Sequence, residues 1–120
     1  AADALKHVAE TAGRIPAIAF VSDRAMRELN LEFRGVDKTT DVLSFPFVPD
    51  EFDTRDDFLG DVVISAEQAA RQAADNDLVL ETEIKQLILH GILHLCGYDH
   101  ETDAGEMNAR ELILRDELGI

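Results

Sequence analysis

Apolar side chains recur along this chain at two spacings, and the switches between them mark out its elements. Leu5, Val8, Ala9 and Ala12 fall at helical spacing, predicting a helix over about residues 3–13 with Gly13 near its end. The short apolar run over residues 15–21 reads as a buried strand. Ser22 stands where a helix N-cap is expected, followed by Ala25, Met26, Leu29 and Phe33 on one face, with Gly35 placed to end that helix in a left-handed cap. Strands follow at about residues 41–47 and 59–64, joined by an acidic stretch over residues 49–57 that reads as an exposed loop. So direct a connection favours an antiparallel pair. Ser65 and Gln68 have the spacing of a capping box ahead of an alanine-rich helix. A further helix is predicted over about residues 80–96 and stopped by Gly97, and a last one over about 103–118, with Met107, Leu112, Ile113 and Leu118 turned toward the core.

Helices and strands alternate early and helices close the chain, which predicts an α+β fold. Its small mixed sheet should hold three to four strands packed with about five helices, in one domain over residues 1–120. That length is enough to bury a core without staples. Cys96 is the only cysteine, so no disulfide forms within the chain. With no targeting signal in view either, the cytoplasm is the expected compartment. No apolar run approaches the roughly 20 residues of a membrane span, so no membrane partner is expected. The formal charge of −14 changes the picture more. Its mean field repels nucleic acids, so an RNA substrate would have to rest on a local site.

The chemistry concentrates in HGILHLCGYDH, residues 90–100, which holds three of the four histidines. His90 and His94 lie four apart on a predicted helix, so both project from one face. Gly97 tolerates the left-handed turn that would let His100 swing back as a third ligand. This spacing is that of the long zinc motif of metzincin proteases. Three neutral imidazoles suit one Zn2+ ion and leave its fourth position open to water, which marks a catalytic site. Nickel, cobalt or copper fit the same donors. Two unpaired imidazoles on so apolar a helix would be costly unless something binds them. Gly91 stands where the protease motif has its glutamate base, which speaks against peptide hydrolysis.

Together with LNLEFRGVDKTTDVLSFPF at residues 29–47 and LGDVVIS at 59–65, the histidine run resembles the bacterial YbeY family, from about residue 16 to the chain's end. The resemblance implies a metal-dependent endoribonuclease of ribosomal RNA maturation and ribosome quality control, with zinc on His90, His94 and His100. Single-stranded ribosomal RNA and the ribosome or its proteins are then the expected partners, and DNA is not. It also singles out Arg34, matching an arginine of the family's R-G-x-D-K block, whose guanidinium can hold a phosphate and stabilise charge in the transition state. Without the resemblance, Arg34 reads as a helix-end residue favoured by the dipole. Family members usually carry a strand ahead of their first helix, and this chain starts at that helix. Two other readings stand beside this one: a ribosome-associated zinc factor without nuclease activity, and a metallohydrolase of another ester or amide.

Other residues have weaker claims. Asp99 either orients a ligand imidazole or caps the turn. Asp61 either reaches the cleft or is a solvated strand-end carboxylate, and Lys38 either contacts phosphate or is a surface lysine. The Ser44 hydroxyl faces the site or bonds locally. Cys96 is expected to pack as a small hydrophobe, and His7 to be a partly exposed side chain. Tyr98 either stacks on a base or packs after Gly97. No residue stands out as general base, so water or the RNA 2′-hydroxyl remain alternative nucleophiles.

Overall fold

The computed structural model describes residue 11 and residues 13–47, 58–99 and 102–120. Within them the elements run β1 (Ile15–Val21), α1 (Asp23–Arg34), β2 (Val42–Pro46), β3 (Phe58–Ser65), α2 (Ala66–Asp75), α3 (Leu80–Leu95) and α4 (Glu106–Leu118). The expected first helix falls almost wholly on residues outside this set, as does the acidic loop. Among the described residues there are thus three strands and four helices, an α+β fold with a mixed sheet.

β3 lies in the middle. It pairs in parallel with β1 and antiparallel with β2. Its side chains alternate between two covered faces, and this is why it reads as a nearly unbroken apolar run. Val63 turns to α1, packing with Met26 and Leu43. Val62 and Ile64 turn the other way, into a larger core with Ala69 of α2, most of the apolar residues of α3, and Met107 and Leu114 of α4. Leu59 joins that second core despite its odd position. The register with β1 steps from Phe58 to Gly60, and the skipped residue shifts the alternation.

Local signals set the helix ends. The Ser22 hydroxyl accepts from the Ala25 N–H at the start of α1, and Gly35 closes that helix with φ 70°. Ser65 caps α2 by accepting from the Gln68 N–H. The reciprocal half of the expected capping box is not made. The Ser65 N–H donates to the Asp41 carbonyl, and the Gln68 side chain accepts from Arg71. α4 begins three residues later than expected. The Asp103 carboxylate accepts the N–H groups of Gly105 and Met107, so Asp103 works as a cap ahead of the helix.

Two expectations about core faces need correction. Phe33 is 59% exposed and meets the core only by resting edge-on against Phe45, while Asn30 is the buried residue of that last turn of α1. In α4, Leu112 and Ile113 are exposed. The buried stripe is Met107, Glu111 and Leu114, with Leu118 packed at its end. These follow the spacing of one helix face, on which Leu112 and Ile113 have no place.

Candidate metal and RNA site

α3 carries His90 and His94 one turn apart, and the rings sit edge to face with centroids 4.8 Å apart. Both open on a cleft of about 730 Å³. Its opposite side is built by Arg34 at the end of α1 and by Asp41, Ser44 and Pro46 at β2. Tyr98 and Asp99 close it at the turn after α3. The helix can lie so near the sheet because residue 91 has no side chain. A Cβ on Gly91 would come within 2.8 Å of Val62 Cγ1 and 3.2 Å of Ser44 Oγ. Those two residues are directly paired across β2 and β3. The Ser44 hydroxyl donates to the Gly91 carbonyl at 3.1 Å, which locks helix to sheet. Position 91 therefore points at the sheet, and a glutamate there would have no room.

α3 is stopped at Gly97, as the spacing predicts. Gly97 has φ 103°, a conformation that L side chains rarely adopt, and its N–H closes the helix on the His94 carbonyl. The third expected ligand, His100, lies outside the described residues. Among those described, no three His, Cys, Asp or Glu side chains have metal-binding geometry. What the structure does bring together is a pair of imidazoles on a rigid helix, opening on one cleft. That donor set suits a transition metal of borderline softness.

A carboxylate that does not stand out in the sequence lies behind this pair. Glu111, on the buried stripe of α4, places Oε2 3.3 Å from His90 Nδ1 and accepts at Oε1 from Arg115 Nη2 at 3.1 Å. Burial pushes the Glu111 carboxyl up, but the contact with His90 and the charge of Arg115 more than reverse this and hold it below its ordinary value. Its one signal in the sequence is a glutamate interrupting the apolar stripe of Met107, Leu114 and Leu118.

Arg34 owes its place to the loop behind it. Arg27 grips Asp37 through two bonds, at 2.7 and 3.1 Å, and Asn30 Nδ2 donates to the Lys38 carbonyl at 2.8 Å. The Asp and Lys of the R-G-x-D-K block thus fold the chain back along α1, leaving Arg34 at the cleft. The remaining candidates divide. Ser44 lines the cleft but gives its hydrogen to Gly91, and Tyr98 both lines it and packs on the core. Cys96 packs on the same core, as expected of a small hydrophobe. Asp99 sits exposed at the rim, and its backbone carbonyl accepts from the N–H groups of Thr102 and Asp103; the neighbouring His100, which its side chain would orient, lies outside the described residues. Neither Asp61, exposed on β3, nor the Lys38 side chain lines the cleft. Asp41 does line it, but its oxygens already accept from Val42, Thr40 and Gln72. His7 lies outside the described residues.

Comparison with known proteins gives the chain its family. The sequence model of the endoribonuclease YbeY family matches residues 3–119. An endoribonuclease YbeY of Clostridioides difficile (strain 630) is 43% identical over 97 residues, covering 78% of this chain and 63% of that protein. One from Campylobacter fetus subsp. fetus (strain 82-40) is 42% identical over 105 residues, covering 86% and 74%. The chain thus spans about two thirds to three quarters of the length of these relatives. The solution structure of TM1509 from Thermotoga maritima is similar over 97% of this chain and 79% of its own, at 29% identity and a TM-score of 0.61. With a family match from near the first residue to near the last, and relatives above 40% identity, the chain belongs to the endoribonuclease YbeY family.

Proposed function

We propose that this chain is a metal-dependent endoribonuclease that cuts single-stranded ribosomal RNA in ribosomal RNA maturation and ribosome quality control. It would work in the cytoplasm, with one zinc ion held by His90, His94 and His100. The observation that carries the reading is the shared cleft, where Arg34 from α1 faces the same space as His90 and His94 from α3. A cation with five donors and a pair of imidazoles on one space suit a phosphodiester better than a peptide bond. Among the described residues no helix is long and apolar enough to cross a membrane.

When bound, zinc supplies a Lewis acid that polarises a phosphoryl oxygen. The chain's own residues do the rest. Arg34 donates two parallel hydrogen bonds to non-bridging phosphate oxygens and offsets the charge that builds on them as the bond breaks. His90 and His94, on a helix bolted to the sheet at Gly91, keep their ring nitrogens at fixed positions in the cleft. Residue 91 has no side chain to act as base, so the proton of the attacking group, water or the RNA 2′-hydroxyl, leaves by another group.

The test is cleavage of a labelled single-stranded ribosomal RNA fragment by the wild type and by His94→Ala and Arg34→Ala, each with and without zinc. The wild type should cut only with zinc and His94→Ala should not cut. Arg34→Ala should bind zinc normally and cut about 10²–10³-fold more slowly. Equal cutting by all three would trace the activity to a contaminant and overturn the reading. Zinc bound by the wild type without any cutting would turn it toward a ribosome-associated zinc factor.

A further inference from the structure

Glu111 stands out because an acceptor-only carboxylate lies on a face that otherwise buries methionine and leucine. It is 6% exposed, between Met107 at 0% and Leu114 at 3%. Such a group persists in a core only when its oxygens are satisfied. One oxygen takes the Arg115 guanidinium, one helical turn further along. The other faces a ring atom, His90 Nδ1, at 3.3 Å. His90 lines two spaces. One is the cleft shared with Arg34, and the other a polar cavity of about 510 Å³ bordered by Glu111 and Arg115.

We infer that Glu111 is a positioning residue, which through Nδ1 sets both the tautomer and the orientation of His90 and so presents Nε2 to the cleft. The argument is one of donor and acceptor inventory. A neutral imidazole carries one N–H and one lone pair, and an ionised carboxylate can only accept. Facing Glu111, Nδ1 must hold the hydrogen, so Nε2 is left with the lone pair that a metal requires. Arg115 pins the carboxylate from behind, which keeps the ring from turning. Metal-bound histidines are commonly held this way, and losing the outer carboxylate typically costs 10–100-fold in metal affinity. The inference rests on the zinc reading for its purpose, though not for its geometry.

The experiment is nitrogen-15 NMR of the histidine rings in the metal-free protein, above the pH range where imidazoles titrate, for the wild type, Glu111→Gln and Glu111→Leu. Zinc affinity of each is measured by competition with a chelator. In the wild type, His90 should carry its hydrogen on Nδ1. Glu111→Leu, which keeps the bulk and loses the acceptor, should move His90 toward the Nε2–H form. Zinc affinity should fall about 10–100-fold in Glu111→Leu, with partial recovery in Glu111→Gln, whose amide oxygen still accepts. A purely structural glutamate would lower the unfolding temperature of both variants and leave tautomer and affinity alone. A wild-type His90 protonated on Nε2, or folded variants with wild-type zinc affinity, would overturn the inference. A wild type that binds no zinc would sink the metal reading instead, and the tautomer would still decide the role of Glu111.

Discussion

At the scale of single residues, the cleft depends on what Gly91 lacks. Its place after the first histidine reads in the sequence as a missing catalytic base. The structure adds why the position stays empty: the backbone there lies against Val62 and Ser44. Gly91→Ala should therefore overpack the helix–sheet contact and cost about 1–3 kcal/mol. In urea unfolding that appears as a lower midpoint with an unchanged slope. An unaltered midpoint would mean that α3 can lift off the sheet freely. Gly91→Glu should not restore a base, because its side chain would have to displace the core before reaching the cleft.

At the scale of elements, helix ends follow local chemistry while helix faces follow their partners. The start of α2 shows both. Ser65 caps it, and the Ser65 hydroxyl also donates to the Asp23 carboxylate at 2.6 Å. Arg71 reaches the same carboxylate at 2.6 Å and so ties α2 to the first turn of α1. The bond from Ser65, then that from Arg71, hold the Asp23 carboxyl below its ordinary value of 3.8. A depressed carboxylate stabilises the fold fully above its unfolded value and loses that contribution as pH falls through the folded one. Asp23→Asn should thus unfold more readily than the wild type at neutral pH. The two should converge once pH falls below the ordinary carboxylate range, as followed by urea midpoints on descending pH. A gap that persisted in acid would assign the effect to packing. In α4 the two candidate faces give opposite outcomes. Leu114→Ala, on the buried stripe, should cost about 2–5 kcal/mol. Leu112→Ala, 54% exposed, should stay within about 0.5 kcal/mol.

At the scale of the whole molecule, a chain of formal charge −14 would, on the proposed reading, have to hold RNA against its own field. The cleft would use Arg34 to do so, with Asp41 and Asp99 lining the same space. A protein that grips 6–10 phosphates becomes about 10³–10⁵ weaker in binding between 50 and 200 mM salt. If Arg34 is the cation that holds RNA in the cleft, as proposed, salt weakens that one contact and also screens the general repulsion, which partly offsets the weakening. RNA affinity, measured by titration in the same salt range with the Arg34→Ala protein as reference, should fall far less. A steep loss would reveal a broad basic surface that the cleft does not have.

How much of this could be read beforehand depended on the range of the interaction. The strands, the caps at Ser22, Gly35 and Ser65, and the pairing of His90 with His94 all arise between residues a few positions apart. Backbone geometry alone fixes such distances, so the spacing of letters was enough. The likeness of three blocks to one family was legible for the same reason, since each block is continuous. Other features depended on which stripe meets which. β3 became the central strand, Gly91 faced Val62, Arg34 came to the histidines, and Glu111 rather than Leu112 turned inward to His90. A helical pattern shows that a face is apolar without showing what it will meet, and a carboxylate on that face reads as a solvated side chain until its partners are in place. By itself the sequence determined the elements and the imidazole pair; only the tertiary structure decided what surrounds that pair, because those contacts join residues the chain keeps far apart.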